Sequence, residues 1–214
     1  DLTGDWSSDV CSSDLNLNNK YLRSYFEEYE SIAGTQKFLN SLSNYEDLVG
    51  VQTNLFKCFL PQAWMIGNNE GISGFIHPDG IYDDPKGGRL REKLNQKLRM
   101  HLHFRNAKKL FDVHDSVIFS INIYANKSTK DYISIFNLFE PSTVDECIGG
   151  ENMNKPVPGI KNESGNWELK GHPDRILKIG KKELELFATL YDDNVPFLQA
   201  KLPTLHSKQY LETL

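Results

Sequence analysis

The chain has 214 residues, 39% hydrophobic, 25% charged and 11% aromatic, with 24 Lys and Arg against 29 Asp and Glu for a formal net charge of −5. That is a globular balance, with apolar mass for one core and a small second one. No stretch approaches the roughly 18 consecutive apolar residues of a membrane helix, no charged-then-apolar signal peptide is present, and Cys11, Cys58 and Cys147 share neither metal-ligand spacing nor a disulfide framework, which fits a reducing, cytoplasmic setting.

Residues 5–15, DWSSDVCSSDL, are serine and aspartate without a base or a period, and they resemble the translation of a sequencing-adapter oligonucleotide. They are excluded from fold reasoning, as scars of that kind should be. Asp1, Asp5, Asp9 and Asp14 carry four of the 29 acids, so the remaining chain, with 25 acids against 24 bases, is nearly neutral. Residues 1–15 are expected to pack against nothing, and the protein itself is expected to begin upstream of them.

From residue 20 to 48, apolar side chains fall at helical spacing (Tyr21, Tyr25, Tyr29, Ile32), with a break expected near Gly34-Thr35. A second helix is expected over 53–66, with Thr53 as its N-cap and Pro61 kinking or ending its first part. Residues 72–76, ISGFI, end at His77-Pro78 and predict a buried strand. A loop rich in Gly, Pro and Asp follows to Gly88, then a helix over 88–100 with Leu90, Leu94 and Leu98 at four-residue intervals. Strands are expected at 101–104, 117–124 and 132–139. Residues 140–165 shift to Pro, Gly, Asn and Glu and predict a linker or long loop. Extended chain is expected at 167–179 and helices at 181–191 and 205–214. This order argues for an α/β layered domain with a β-rich end.

Charge is concentrated. Residues 86–130 hold eleven bases against Glu92, Asp112 and Asp115, the footprint of a phosphate-binding surface or of an ordinary solvated helix face. His101 and His103 lie two apart and share a strand face, with His77 and His114 possible neighbours, but no carboxylate–histidine helix motif accompanies them, so no metal is assigned. Cys58, among Phe56, Phe59 and Leu60, predicts an inert buried thiol. No Gly-x-Ser-x-Gly elbow occurs. Gly87-Gly88 before a helix is a weak phosphate signal.

Three stretches carry a resemblance: TNLFKCFLPQAW (53–64), GISGFIHPDGIYDDPKGGRLREKL (71–94) and KLFDVHDSVIFSINIY (109–124). Together they resemble the later half of the catalytic domain of class I S-adenosylmethionine-dependent adenine-specific DNA methyltransferases, in particular the large restriction–modification and phage-defence enzymes. There a helix follows the catalytic Asn/Asp-Pro-Pro-aromatic tetrapeptide, then a Gly-x-x-Gly-Phe-Ile-x-Pro strand, then a loop and a helix bearing a Leu-Arg pair. Gly71 to Pro78 and Leu90-Arg91 stand in those positions. The departure is as informative: no Pro-Pro dipeptide occurs in the chain, and no glycine-rich turn resembles the cofactor motif.

The resemblance implies the C-terminal part of a Rossmann-like methyltransferase sheet with an antiparallel edge hairpin over 16–139, the strand at 72–76 lying centrally, and the start of a mixed target-recognition region over 140–214. It implies double-stranded DNA as partner and S-adenosylmethionine as the cofactor of the complete enzyme, bound by segments outside this chain. The 79–88 loop would border the DNA cleft, and Lys86, Arg89, Arg91, Arg105, Lys108 and Lys109 would hold the duplex backbone. Asn54 would sit at the mouth of the base pocket. No catalytic, cofactor-binding or metal-binding residue is assigned within the chain. The alternatives are a non-catalytic nucleic-acid-binding module and a protein-interaction domain.

Overall fold

The computed structural model describes residues 20–52 and 54–214, so the expectation for residues 1–15 lies outside them. Helix α1 (Lys20–Leu39) runs through Gly34 without the expected break. One glycine costs a helix about 1 kcal/mol, too little to interrupt twenty residues. Helix α2 (Leu55–Ile66) is capped by Asn54, whose side chain accepts from the Phe56 N–H at 3.3 Å, one position later than the expected Thr53, itself outside the described residues. Pro61 lies inside α2 without ending it; its cost is one missing donor, to the Lys57 carbonyl.

Among the described residues five strands form one mixed sheet in the order β1-β3-β2-β4-β5: β1 (Ile72–Pro78), β2 (Leu98–Arg105), β3 (Ile118–Ala125), β4 (Asp131–Leu138) and β5 (Leu177–Gly180). The α/β class therefore holds, and β2–β3 is the expected antiparallel hairpin. Strand β3 also pairs antiparallel with β1, so β1 and β2 run the same way with β3 reversed between them. Strand β4 is parallel to β2, and β5 antiparallel to β4. The placement of β1 differs from expectation. Among the described residues it is the outermost strand, and the hairpin lies inside the sheet. Its apolar run read as a doubly buried strand, yet Ile72 and Ile76 are exposed and only the face bearing Phe75 and His77 is covered.

That covered face carries α2, α3 (Gly88–Lys97) and α5 (Lys181–Tyr191), which bury Leu60, Leu90, Leu94, Leu98 and Phe187 with Tyr124, Tyr132 and Phe136 of the sheet. Leu94, Leu98 and Leu90 are the four-residue stripe of the sequence, and shortening Leu94 to Ala should cost about 2–5 kcal/mol. Ala200, Leu202 and Leu205 join the same core. On the opposite face, α4 (Ser142–Gly149) buries Thr143 and Cys147 against a smaller cluster of Leu102, Phe104, Phe119, Ile135 and Leu138. Helix α4 stands where a linker was expected. Its eight residues lie between Pro141 and Gly150, and the flanking turn composition concealed it.

A bulge in β4 shapes the end of the sheet. Leu102 pairs with Ile135 but Phe104 with Leu138, so β4 holds one residue more than β2. Asn137 absorbs it with φ 56, a left-handed conformation Asn tolerates. The buried Arg175 meets the carbonyls at the bulge, Nη2 donating to Phe136 O at 2.8 Å and Asn137 O at 3.0 Å, while its Nη1 donates to Lys170 O at 3.1 Å.

Candidate functional site

The register places several chain ends together. Pro78 pairs with Phe119, Arg105 with Ile118, and Phe104 with Leu138. The carboxyl ends of β1, β2 and β4 thus share one rim, from which the 79–87 and 106–117 loops depart. Open α/β sheets bind ligands outside the carboxyl ends of their strands. A cleft of about 1000 Å³ opens at this rim, between Gln36 and Asn40 at the end of α1, Asn54, Phe56 and Lys57 at the start of α2, and Pro78, Asp84 and Lys86 of the loop. It lies at the upper end of the volumes usual for small-molecule sites, about 300–1,000 Å³.

Asn54, expected at the mouth of a base pocket, and Lys86, expected on the duplex backbone, line the same cleft. Asn54 spends its side-chain oxygen on the helix cap, leaving the amide nitrogen as its donor toward a ligand. Lys57 and Asp84 escaped the sequence reading. Lys57 Nζ is 3.0 Å from Asp84 Oδ2 and also donates to Gln52 O at 3.3 Å. Burial by itself would push the Asp84 carboxyl up, but the Lys86 N–H and Lys57 outweigh it and hold it below the ordinary carboxylate value. Asp83-Asp84-Pro85 looked like turn composition only, and a lysine on a helix like solvated surface.

The basic segment divides between the two ends of the sheet. Toward the rim, Lys86, Arg89, Lys108 and Lys109 are exposed and Arg105 half-buried, and none is ion-paired among the described residues. Farther along α3 and at the opposite end three bases are engaged, Lys93 with Asp47 at 2.9 Å, Lys127 with Glu70 at 3.9 Å and Lys97 with Asn126 O at 2.9 Å, while Arg99 and Lys130 are exposed there without an acid partner among the described residues. Arg91 corrects the expectation. It is 3% exposed, its Nε donates to Gln199 O at 2.8 Å and its Nη1 to Asp84 O. It fastens α3 to the 79–87 loop and to the segment at 199, with Nε and Nη1 spent on backbone carbonyls.

Beneath the rim lies a buried polar network. Nδ1 of His77 faces the Pro78 carbonyl at 2.9 Å and must donate. Nε2 therefore accepts, from Tyr124 Oη at 3.1 Å and Asn122 Nδ2 at 3.0 Å, and the ring is neutral; burial pushes its pKa down. Asn122 Oδ1 accepts from Tyr82 Oη at 2.5 Å. His101 Nε2 donates to Asp79 Oδ1 at 2.9 Å and its Nδ1 meets Ser134 Oγ at 2.7 Å. His103 Nδ1 accepts from the Asn137 N–H at 3.3 Å, and burial pushes its pKa down to about 4. Burial would raise Asp79; His101, His103 and Ser120 prevail and hold it at about 2.

The Asp79–His101–Ser134 string has the residue order of a hydrolase triad but with the ring nitrogens exchanged, the carboxylate at Nε2 and the hydroxyl at Nδ1. Both His101 and Ser134 are fully buried, so no substrate carbonyl can reach the hydroxyl, and the string is a structural tie. His101 and His103 do share a face with His77, as their spacing implied, whereas His114 is exposed and bound to Ser116. No group of three or more His, Cys, Asp or Glu among the described residues is arranged to hold a metal ion.

No protein-family model matches the chain, and no curated protein matches it either. Among solved structures it is similar to the crystal structure of the type IIG restriction endonuclease BpuSI, with a TM-score of 0.40 and 14% sequence identity. The match covers 79% of this chain, which spans 18% of that protein's length. A likeness this loose carries no argument about the site, which rests on the geometry above.

Proposed function

We propose that this chain is the DNA-facing part of a site-specific DNA adenine N6-methyltransferase of a restriction–modification or phage-defence system. The observation that carries the reading is the rim. A nucleotide-sized cleft and five bases without acid partners among the described residues, Lys86, Arg89, Arg105, Lys108 and Lys109, occupy one edge of the sheet. Bases without an acid partner among the described residues and gathered along one edge are available to phosphates, which bind by charge and release counterions. The N-terminus of α3, between Lys86 and Arg89, adds its positive dipole end to the same rim.

In this reading the duplex lies along the rim. An extruded adenine enters the cleft between Phe56 and Pro78, with Asn54 at its mouth. Extrusion is required because the adenine amino group is inaccessible to chemistry within the stack. The backbone contacts position the duplex and carry no sequence information; residues 140–214 lead into the region that reads the site. S-adenosylmethionine would donate the methyl group from segments this chain does not contain.

The test is methylation mapping. Deleting the reading frame that encodes this chain should remove N6-methyladenine from one sequence context in the host DNA, and restoring it should return the mark. An unchanged methylation pattern, with DNA binding intact, would replace the enzyme reading by the non-catalytic nucleic-acid-binding module.

A further inference from the structure

The segment after α4 folds into a small hairpin at the same rim. Lys161 and Trp167 form an antiparallel bridge, Asn162 N–H donates to Asn166 O at 2.9 Å, and Asn162 Oδ1 accepts from the N–H groups of Ser164 and Asn166. Gly165 closes the turn with φ +77, a conformation that suits glycine. The hairpin lays Trp167 on Phe139, just beyond the bulge of β4, with ring centroids 4.6 Å apart and planes 23° from parallel. Two cations lie over the indole: Lys161 Nζ at 4.9 Å and Arg105 Cζ at 5.5 Å from its centroid. Among the described residues neither cation has a carboxylate partner, and neither side chain makes a hydrogen bond. The neighbouring Glu168 spends Oε1 on the N–H groups of Leu169 and Lys170, at 2.9 and 3.1 Å.

We propose that Arg105 and Lys161, held against Trp167, form a second contact for the phosphodiester backbone of duplex DNA. The inference rests on the DNA reading of the rim and extends it to a hairpin that charge patterning alone did not single out. A cation stacked on an indole has already lost much of its rotamer freedom, so less is lost on binding. A guanidinium held over a ring by its positive charge leaves its planar fork of N–H donors unspent, and a phosphate can take two of them. Lys108 and Lys109 lie three and four residues after Arg105, at the turn that leaves β2, so the pair extends a row of cations along the rim. A row calls for a linear polyanion, and a duplex carries about one charge per 1.7 Å of axis.

The test uses the 214-residue chain and a labelled short duplex, with affinity followed by fluorescence anisotropy across a range of salt concentrations. Lys161→Gln, at an exposed position, and Arg105→Gln should each flatten the log–log salt dependence by about 0.9. Lys182→Gln, on α5 at the opposite end of the sheet, should leave the slope unchanged. Trp167 emission should be quenched by the duplex, and Trp167→Phe should remove that signal. If Lys86→Gln flattens the slope while Lys161→Gln and Arg105→Gln do not, the second contact is wrong and the DNA reading stands. If the duplex is not bound at all, both fall. Quenching by inorganic phosphate at equal phosphate concentration would make this a site for the free anion, against the proposal.

Discussion

Lys57 Nζ lies 3.0 Å from Asp84 Oδ2, and this pair joins the first turn of α2 to the loop leaving β1. The side chains are 11% and 18% exposed, so the cleft wall is set by a largely desolvated ion pair. Removing one partner of a buried pair strands the other charge, which costs far more than the net worth of the pair. Asp84→Asn and Lys57→Met should each lower stability by roughly 1–3 kcal/mol, and the double variant should lose less than the sum. Additive losses in a denaturant double-mutant cycle would show that the two residues do not depend on each other.

The network under the rim makes stability acid-sensitive. His103, held at about 4 in the fold, has an ordinary pKa near 6.5, so between those values the unfolded chain binds the extra proton and stability falls as pH falls. Asp79, held at about 2, adds a second loss from its ordinary value near 3.9 downward. Thermal melts should therefore drop steadily from pH 6.5 to 4. In His103→Gln that stretch of the profile should flatten; an unaltered slope would remove His103 from the account.

Much of this fold was legible because it is periodic. The stripe of Leu90, Leu94 and Leu98 pointed to α3 but overran it, since α3 ends at Lys97 and Leu98 opens β2, whereas the alternation in 117–124 and 132–139 matched β3 and β4 nearly to the residue. Helix α4 was hidden by turn-forming neighbours, and the outer position of β1 by an apolar run that reads alike whether one face or two are covered. The site was half legible. Charge patterning found the rim bases but could not separate exposed Arg89 from buried Arg91, because both are arginines on the first turn of one helix and only the chain at Gln199, more than a hundred residues on, decides which is covered. Trp167 needed Phe139 and Arg105 beside it, contacts with no local sequence signal.

That difference between neighbours is testable. Arg91→Met should destabilise the protein by about 1–3 kcal/mol, since the Gln199 and Asp84 carbonyls lose a buried donor, with no change in the salt dependence of DNA binding. Arg89→Gln should do the reverse. Equal effects of the two on the salt slope would restore Arg91 to the interface.

The 214-residue chain should take up no S-adenosylmethionine. Its sequence shows no glycine-rich motif resembling the cofactor turn and no Pro-Pro dipeptide, so no nest of backbone donors for the cofactor is expected among the described residues. Titration calorimetry should give no heat above dilution; a micromolar dissociation constant would mean that a cofactor site lies within these residues and that the division of labour proposed above is wrong.

The most direct measurement is duplex binding by Lys86→Gln/Arg89→Gln, the two exposed bases flanking the start of α3 at the cleft. Affinity is followed against salt concentration on several unrelated duplexes. Losing two phosphate contacts should reduce the log–log slope by about 1.8, by the same amount on every duplex. An unchanged slope, or a loss confined to one sequence, would contradict a rim that grips the DNA backbone.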